Sequence, residues 1–312
     1  MKMAWSQISQ FKNVFSFKNF RFHLFALLLI PAKVFASACC GGAFTLPAVI
    51  TGDDAAQLST SFSRSNIQAD VGADGVWTKR KSTDMTQIFK IDGARIFNDR
   101  WQAGFSLPVQ TRQIDGLGSS SGLGDVALQG GYEYLPEWEY SPWKPRGVGF
   151  LTLSLPTGKP YEEAYIDDAG LSSRGRGFWT AGAGTILTKV IRVWDVNAVS
   201  EVHRSFERTA SGNTFQPGYG GSVATGIGWN QQNLRLGGAI AWAQEDAINV
   251  RGVTNSDGHA ARFATGTLSA SYVFQETWAG SLSYSDQTLF GDPSTTSLSK
   301  SVALVLQKRW TR

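Results

Sequence analysis

The stretch W-A-G-S-L-S-Y-S, residues 278–285, divides cleanly in two. Trp278, Gly280, Leu282 and Tyr284 fall on one set of alternate positions, and Ala279, Ser281, Ser283 and Ser285 on the other. Successive side chains of a β-strand point to opposite faces, so this segment is a strand with an apolar side and a small polar side. The same division recurs in T-L-S-A-S-Y-V-F (267–274), in D-V-A-L-Q-G-G-Y-E-Y (125–134) and in W-D-V-N-A-V-S-E-V-H (194–203). A chain built on this period cannot bury its apolar face with helical segments. It needs a sheet whose whole apolar side meets one continuous medium.

About twelve such segments are readable, near 57–71, 84–97, 100–112, 124–136, 147–156, 177–189, 192–205, 217–230, 233–247, 260–275, 276–288 and 297–310. Each is long enough for a tilted membrane strand, which needs about 9–11 residues. The connections alternate in length. Those near 98–100, 191, 230–233 and 275–276 are tight, whereas those after the odd-numbered segments are long and polar. Outer-membrane barrels show this pairing of short periplasmic turns with long external loops. The exception is P-E-W-E-Y-S-P-W-K-P-R (136–146), long but on the expected periplasmic side, whose Trp138 and Trp143 suit the membrane interface. Trp278 and Trp310 are expected at the same interface. A soluble β-sandwich is disfavoured, because twelve long strands bury one apolar face most simply against lipid.

Composition agrees. The chain of 312 residues holds 34 Gly, 11 Trp, 8 Tyr and 19 Phe, with 17% charged residues. No apolar run approaches the about 20 residues of a membrane helix. Residues 1–38 read as a secretory signal, with a basic start, the apolar run L-F-A-L-L-L-I and cleavage after Ala36 or Ala38. The expected organisation is this signal, an N-terminal periplasmic or luminal segment over 39–56, and a barrel over 57–312. A net charge of +4, partly in the signal, gives no reason to expect a nucleic-acid partner.

G-L-G-D-V-A-L-Q-G-G-Y-E-Y (122–134), followed after one connection by F-L-T-L-S-L-P-T-G-K (150–159), resembles the outer-membrane transporter-like proteins associated with meta-pathway phenol degradation. The resemblance implies a barrel of about twelve strands that passes small apolar or aromatic compounds, and it carries no catalytic residue. Read physically, the glycines allow the chain to turn into a strand. Asp125 can accept from backbone amides there, and Pro156 ends the ladder.

Enzymatic chemistry is not expected. His203-Arg204-Ser205, with Asn213 downstream, resembles the His-x-Ser arrangement of outer-membrane phospholipase A. That site faces lipid, whereas His203 and Ser205 share the inward alternation with Asp195, Asn197 and Glu201. Only His203 and His259 follow the signal, in no spaced ligand set, so no metal or cofactor is expected. Asp125, Gln129, Glu133, Asp195, Asn197, Glu201, His203 and Arg235 are expected to line the lumen or its rim, with Glu245 and Arg262 beside them. They either set selectivity or satisfy one another.

The only two cysteines, Cys39 and Cys40, stand side by side at the new N-terminus. They are candidates for lipidation or for a disulfide, which an oxidising periplasm allows. The stretch from 37 to 52 is uncharged and too apolar for a free tail, so it is expected to plug or cap the lumen or to dock a partner. The fold expected is therefore an all-β, antiparallel transmembrane barrel in the outer membrane of a Gram-negative-type bacterium. Its expected partners are outer-membrane lipid, the barrel-assembly machinery and a small solute. The alternative function is a non-transporting barrel that anchors a periplasmic or membrane protein through its N-terminal segment.

Overall fold

The computed structural model describes residues 48–253 and 255–311. Residues 1–47, which include the expected signal and both cysteines, lie outside the described residues. Twelve long strands carry the fold: β1 (Asp54–Val71), β2 (Asp84–Phe97), β3 (Trp101–Ile114), β4 (Val126–Leu135), β5 (Arg146–Leu155), β6 (Thr180–Ile191), β7 (Trp194–Ser205), β8 (Tyr219–Gln231), β9 (Leu234–Glu245), β10 (Ala261–Phe274), β11 (Trp278–Asp286) and β12 (Thr296–Thr311). Each pairs antiparallel with its chain neighbour, and β1 pairs with β12 from Asp54↔Thr311 to Val71↔Thr296. The sheet is therefore closed, which leaves no edge strand to satisfy in the membrane. A bulge between Ile67 and Ala69 interrupts the closing ladder.

The alternation seen in the sequence becomes outside and inside. Leu151, Leu268 and Val202 face outwards with 66%, 68% and 64% exposure, while inward neighbours such as Val148, Thr265 and His203 are buried. Short turns close the end at which β1 begins and β12 finishes. Arg192 and Gln232 adopt left-handed backbone at φ 57° and 52° in two of them, and Asn98 and Asp99 do so at 48° and 62° in a third. Phe97, Trp101, Trp194, Trp229, Trp278 and Trp310 lie at strand ends beside these turns, forming an aromatic girdle at that membrane boundary. Basic groups sit against its rings: Arg100 over Trp138 at 5.8 Å and Lys308 over Trp278 at 5.1 Å.

The opposite end carries the long loops, and these are more structured than a polar sequence suggests. Strands Trp77–Lys79 and Gly118–Leu123 extend the barrel sheet there, and Arg208–Ala210, Asn213–Gln216 and Asn249–Gly252 form a small sheet of their own. Between β5 and β6 lies helix α1 (Tyr161–Asp168). Pro160 precedes it, Glu162 and Glu163 occupy its first turn, and Ala169 ends it in the left-handed region. These are start and stop signals of the usual kind.

Candidate functional site: the barrel lumen

Two segments from outside the wall enter the barrel. Ala48, Val49 and Ile50 are buried, and Val49 packs against Val148, Phe150, Ile186 and Val199 on the inward positions of β5, β6 and β7. Gln102, inward on β3, holds the segment through both ends of its amide. Ile50 N donates to Gln102 Oε1 at 2.6 Å, and Gln102 Nε2 donates to Ile50 O at 3.1 Å. Gly104, on the same strand, permits this approach: a Cβ there would stand 2.3 Å from Ala48 O.

The second segment is the loop after β5. Leu171, Ser172, Ser173 and Phe178 are buried in it. Gly170 O accepts from Arg112 Nη1 at 3.0 Å, and Ser173 O from Gln110 Nε2 at 3.4 Å. Arg112 also forks onto Asp84, at 3.0 and 2.7 Å, and Asp84 in turn pairs with Arg80. Asp125 fastens both arms of this loop. Its Oδ1 accepts from Gly158 N at 2.9 Å and its Oδ2 from Arg176 N at 2.7 Å. Burial lifts the Asp125 carboxyl above its ordinary range, opposed by these two amides and the Arg176 charge. The G-L-G-D and L-P-T-G stretches thus meet through one carboxylate.

The remaining sequence-predicted residues fall into paired sets. Glu133 is buried and bonded by Arg146, which also reaches Asp53. Asp195 is bonded by Arg235 at 2.8 and 2.7 Å and by Asn230 at 2.7 Å. His203 lies between Glu201 at 3.4 Å and Glu245 at 3.3 Å, with Arg176 at 3.2 Å. Ser205 is buried and its hydroxyl pairs with Thr180 at 2.8 Å, so His203 and Ser205 face separate partners. Gln129 is buried beneath Gly104, and Asn197 stands beside Gly226. Arg262 corrects one expectation. It shares the alternation of Leu268, not of Thr267, and it pairs with the loop residue Asp292 at 49% exposure, outside the lumen.

A different wall faces what is left of the interior. Aligned by register, Ser61, Val305, Ser281 and Ser271 form one rung across β1, β12, β11 and β10. Ser63, Ala303, Ser283 and Ser269 form the next, and Ser65, Ser301, Ser285 and Thr267 a third. No member of these rungs is charged. Thr267 and Ser285 share a hydrogen bond of 2.9 Å. β9 continues the wall with Gly237, Ala239 and Ala241 opposite Ser269, Thr267 and Thr265. Sequence alternation exposed this small polar face, but the partners Gln102, Arg112 and Arg176 carried no local signal beyond their polarity. A separate cavity of about 530 Å³, lined by Val196, Ile227, Gly238, Ile240, Leu268 and Tyr284, lies on the outer wall and belongs to the lipid side.

No protein-family model and no curated protein matches this sequence. Among solved structures, an outer-membrane channel from Pseudomonas putida F1 resembles it with a TM-score of 0.68 and 13% identity, covering 86% of this chain and 100% of that one. The transport unit of the autotransporter AIDA-I from Escherichia coli aligns with a TM-score of 0.43, at 10% identity over 81% of this chain and 90% of that one. The P. putida toluene transporter TodX aligns with a TM-score of 0.41, at 8% identity over 85% and 93%. At these identities the first likeness speaks to fold, and the other two add nothing to it. Closure, girdle, apolar exterior and loop asymmetry make this chain a twelve-stranded antiparallel β-barrel of the outer membrane of a Gram-negative-type bacterium.

Proposed function

We propose that the barrel carries small solutes across the outer membrane along the hydroxyl-lined wall of β9 to β12 and β1. One observation carries this reading. The inward side chains Ser61, Ser63, Ser269, Ser271, Ser281 and Ser283 stay partly accessible to water, although they point into a closed barrel. The opposite side is filled by Val49 and its apolar neighbours and by the loop after β5. A wall of small hydroxyls offers hydrogen bonds and leaves room, and pore selectivity is set by such lining groups. The P. putida F1 protein that shares the fold is described as an outer-membrane channel, and the same use of the fold is proposed here. Kinship with transporter-like proteins of aromatic degradation, argued from G-L-G-D and L-P-T-G, belongs to this proposal, as does a preference for apolar or aromatic solutes.

The test is reconstitution into liposomes. Swelling in small neutral solutes is expected, and its absence, together with absent conductance in planar bilayers, overturns the reading. Ser283→Asp, which places an unpaired carboxylate on the wall, should shift the reversal potential toward cations. Cys39 and Cys40 are proposed to be lipidated or disulfide-linked at the periplasmic end. Mass spectrometry of the mature N-terminus distinguishes the two, and unmodified thiols there refute both.

A further inference from the structure

The lipid-facing row of β12 is bounded by two lysines. Lys300 and Lys308 share its alternation with Val302, Leu304 and Leu306, which stand exposed between them. Lys308 lies over the Trp278 ring at 5.1 Å, in the girdle at the turn end. From there to Lys300 the strand climbs roughly 20 Å, at about 3.3 Å per residue and a tilt near 40°. The apolar band of such barrels is about 25 Å tall. Lys300 therefore sits where the hydrocarbon ends and the head groups of the outer leaflet begin.

Strand β1 brings a second cation to this level. Arg64 continues the exposed outward row of Leu58 and Phe62, opposite Val302 on β12 and Gln87 on β2. Lys300 faces Asn66, one step further along that row, so Arg64 and Lys300 are diagonal neighbours. A third cation comes from the loop between β1 and β2. Its strand Trp77–Lys79 pairs with the end of β1, and Lys79 stands opposite Ala69. Arg80 turns inward to Asp70 and Asp84, so Lys79 beside it points outward. Trp77, on the same alternation, adds an exposed ring.

Their partners set these cations apart. Elsewhere on the outer face near the loops, Arg204 rests on Tyr219 and Arg262 pairs with Asp292. Lys300 does pair with Asp286, at 3.0 Å, but that carboxylate side chain is 2% exposed and the lysine 42%. The Arg64 guanidinium and the Lys79 ammonium are exposed and make no hydrogen bond or ion pair to a described residue. A cation on a lipid-facing wall is costly unless it reaches the interface and meets an anion there.

We propose that Arg64, Lys79 and Lys300 form a binding site for a phosphorylated lipid of the outer leaflet, whose acyl chains lie along Phe62, Val302 and Leu304. The site is independent of whether the lumen conducts. A guanidinium takes two phosphate oxygens in a fork, and each ammonium adds a point charge. Cations stacked above an apolar row match the order of head group and chains in a lipid. A free anion would use the cations and leave the row unused. A lipid with more than one phosphate fits a column of three cations.

The test uses the full chain purified from outer membranes, titrated in detergent with diphosphoryl lipid A and read by native mass spectrometry. Arg64→Gln, Lys79→Gln and their double variant are compared with Arg204→Gln, an outward control on β7. Each is confirmed as folded by heat-modifiable gel migration. A basic group near a charged lipid surface contributes about a factor of five in affinity. Each single variant should therefore weaken binding about fivefold and the double variant about 25-fold, with Arg204→Gln unchanged. An equal loss in Arg204→Gln, or no loss in the double variant, overturns the site. Displacement of lipid A by millimolar inorganic phosphate alone overturns the assignment to lipid.

Discussion

Gln102 grips Ile50 by both halves of its side-chain amide, accepting from the backbone N–H at 2.6 Å and donating to the carbonyl at 3.1 Å. The bonds are buried and span 52 positions of sequence. They fix an otherwise ladderless stretch of backbone inside the barrel. Gln102→Leu keeps the bulk and removes both partners. Each buried polar group left unpaired costs about 1–3 kcal/mol, so the segment should leave its seat. Bilayer recordings should show higher and noisier conductance; recordings like the wild type's would mean the segment does not obstruct the path.

Asp125→Ala should release the loop after β5. The amides of Gly158 and Arg176 lose their acceptor, again at about 1–3 kcal/mol for each group that stays buried. Limited trypsin digestion of proteoliposomes should then cut after Arg174 or Arg176 faster than in the wild type. Equal rates would show that Arg112 and Gln110 alone hold the loop.

Gly220→Ala probes the crowding around His203. A Cβ at position 220 would lie 1.8 Å from His203 Nε2, and the ring is hemmed in by Glu201, Glu245 and Arg176. Overpacking of this kind costs about 1–3 kcal/mol. The urea midpoint of the folded-to-unfolded gel shift should fall accordingly, and an unchanged midpoint would mean the ring has room to turn.

The membrane position of the outer face is open to measurement by depth. Leu151, outward on β5 and 66% exposed, should tolerate arginine poorly, at about 2–4 kcal/mol near the bilayer middle. Trp143, in the connection between β4 and β5 and 92% exposed, should cost about 0–1 kcal/mol on the same change, as at an interface. Equal costs would contradict the proposed placement of the hydrocarbon band.

The inward or outward direction of Asp195, Glu201, His203 and Arg235 was readable because alternation alone decides it. Arg262 obeys the same rule, since it shares the parity of Leu268 and points outward to Asp292. The ion partners were not readable. Asp195 and Arg235 are 40 positions apart, and Arg176 meets Glu245 across 69. Such pairs depend on which strands become neighbours and in what register, which no single strand encodes. Helix α1 had local signals in Pro160, Glu162 and Glu163, but a polar loop with an eight-residue helix offers too little periodicity to stand out.

By itself the sequence determined that about twelve long strands form the wall, their two faces, the end that carries most of the short turns and the apolar band that lipid must cover. These follow from a period of two, because each residue's side is set by its neighbour's. Only the tertiary structure decided what fills the lumen: Val49 against Phe150, and the loop tied down by Asp125. Those contacts join segments far apart in the chain. They exist because closure brings the strands around a common interior whose space must then be filled or left open.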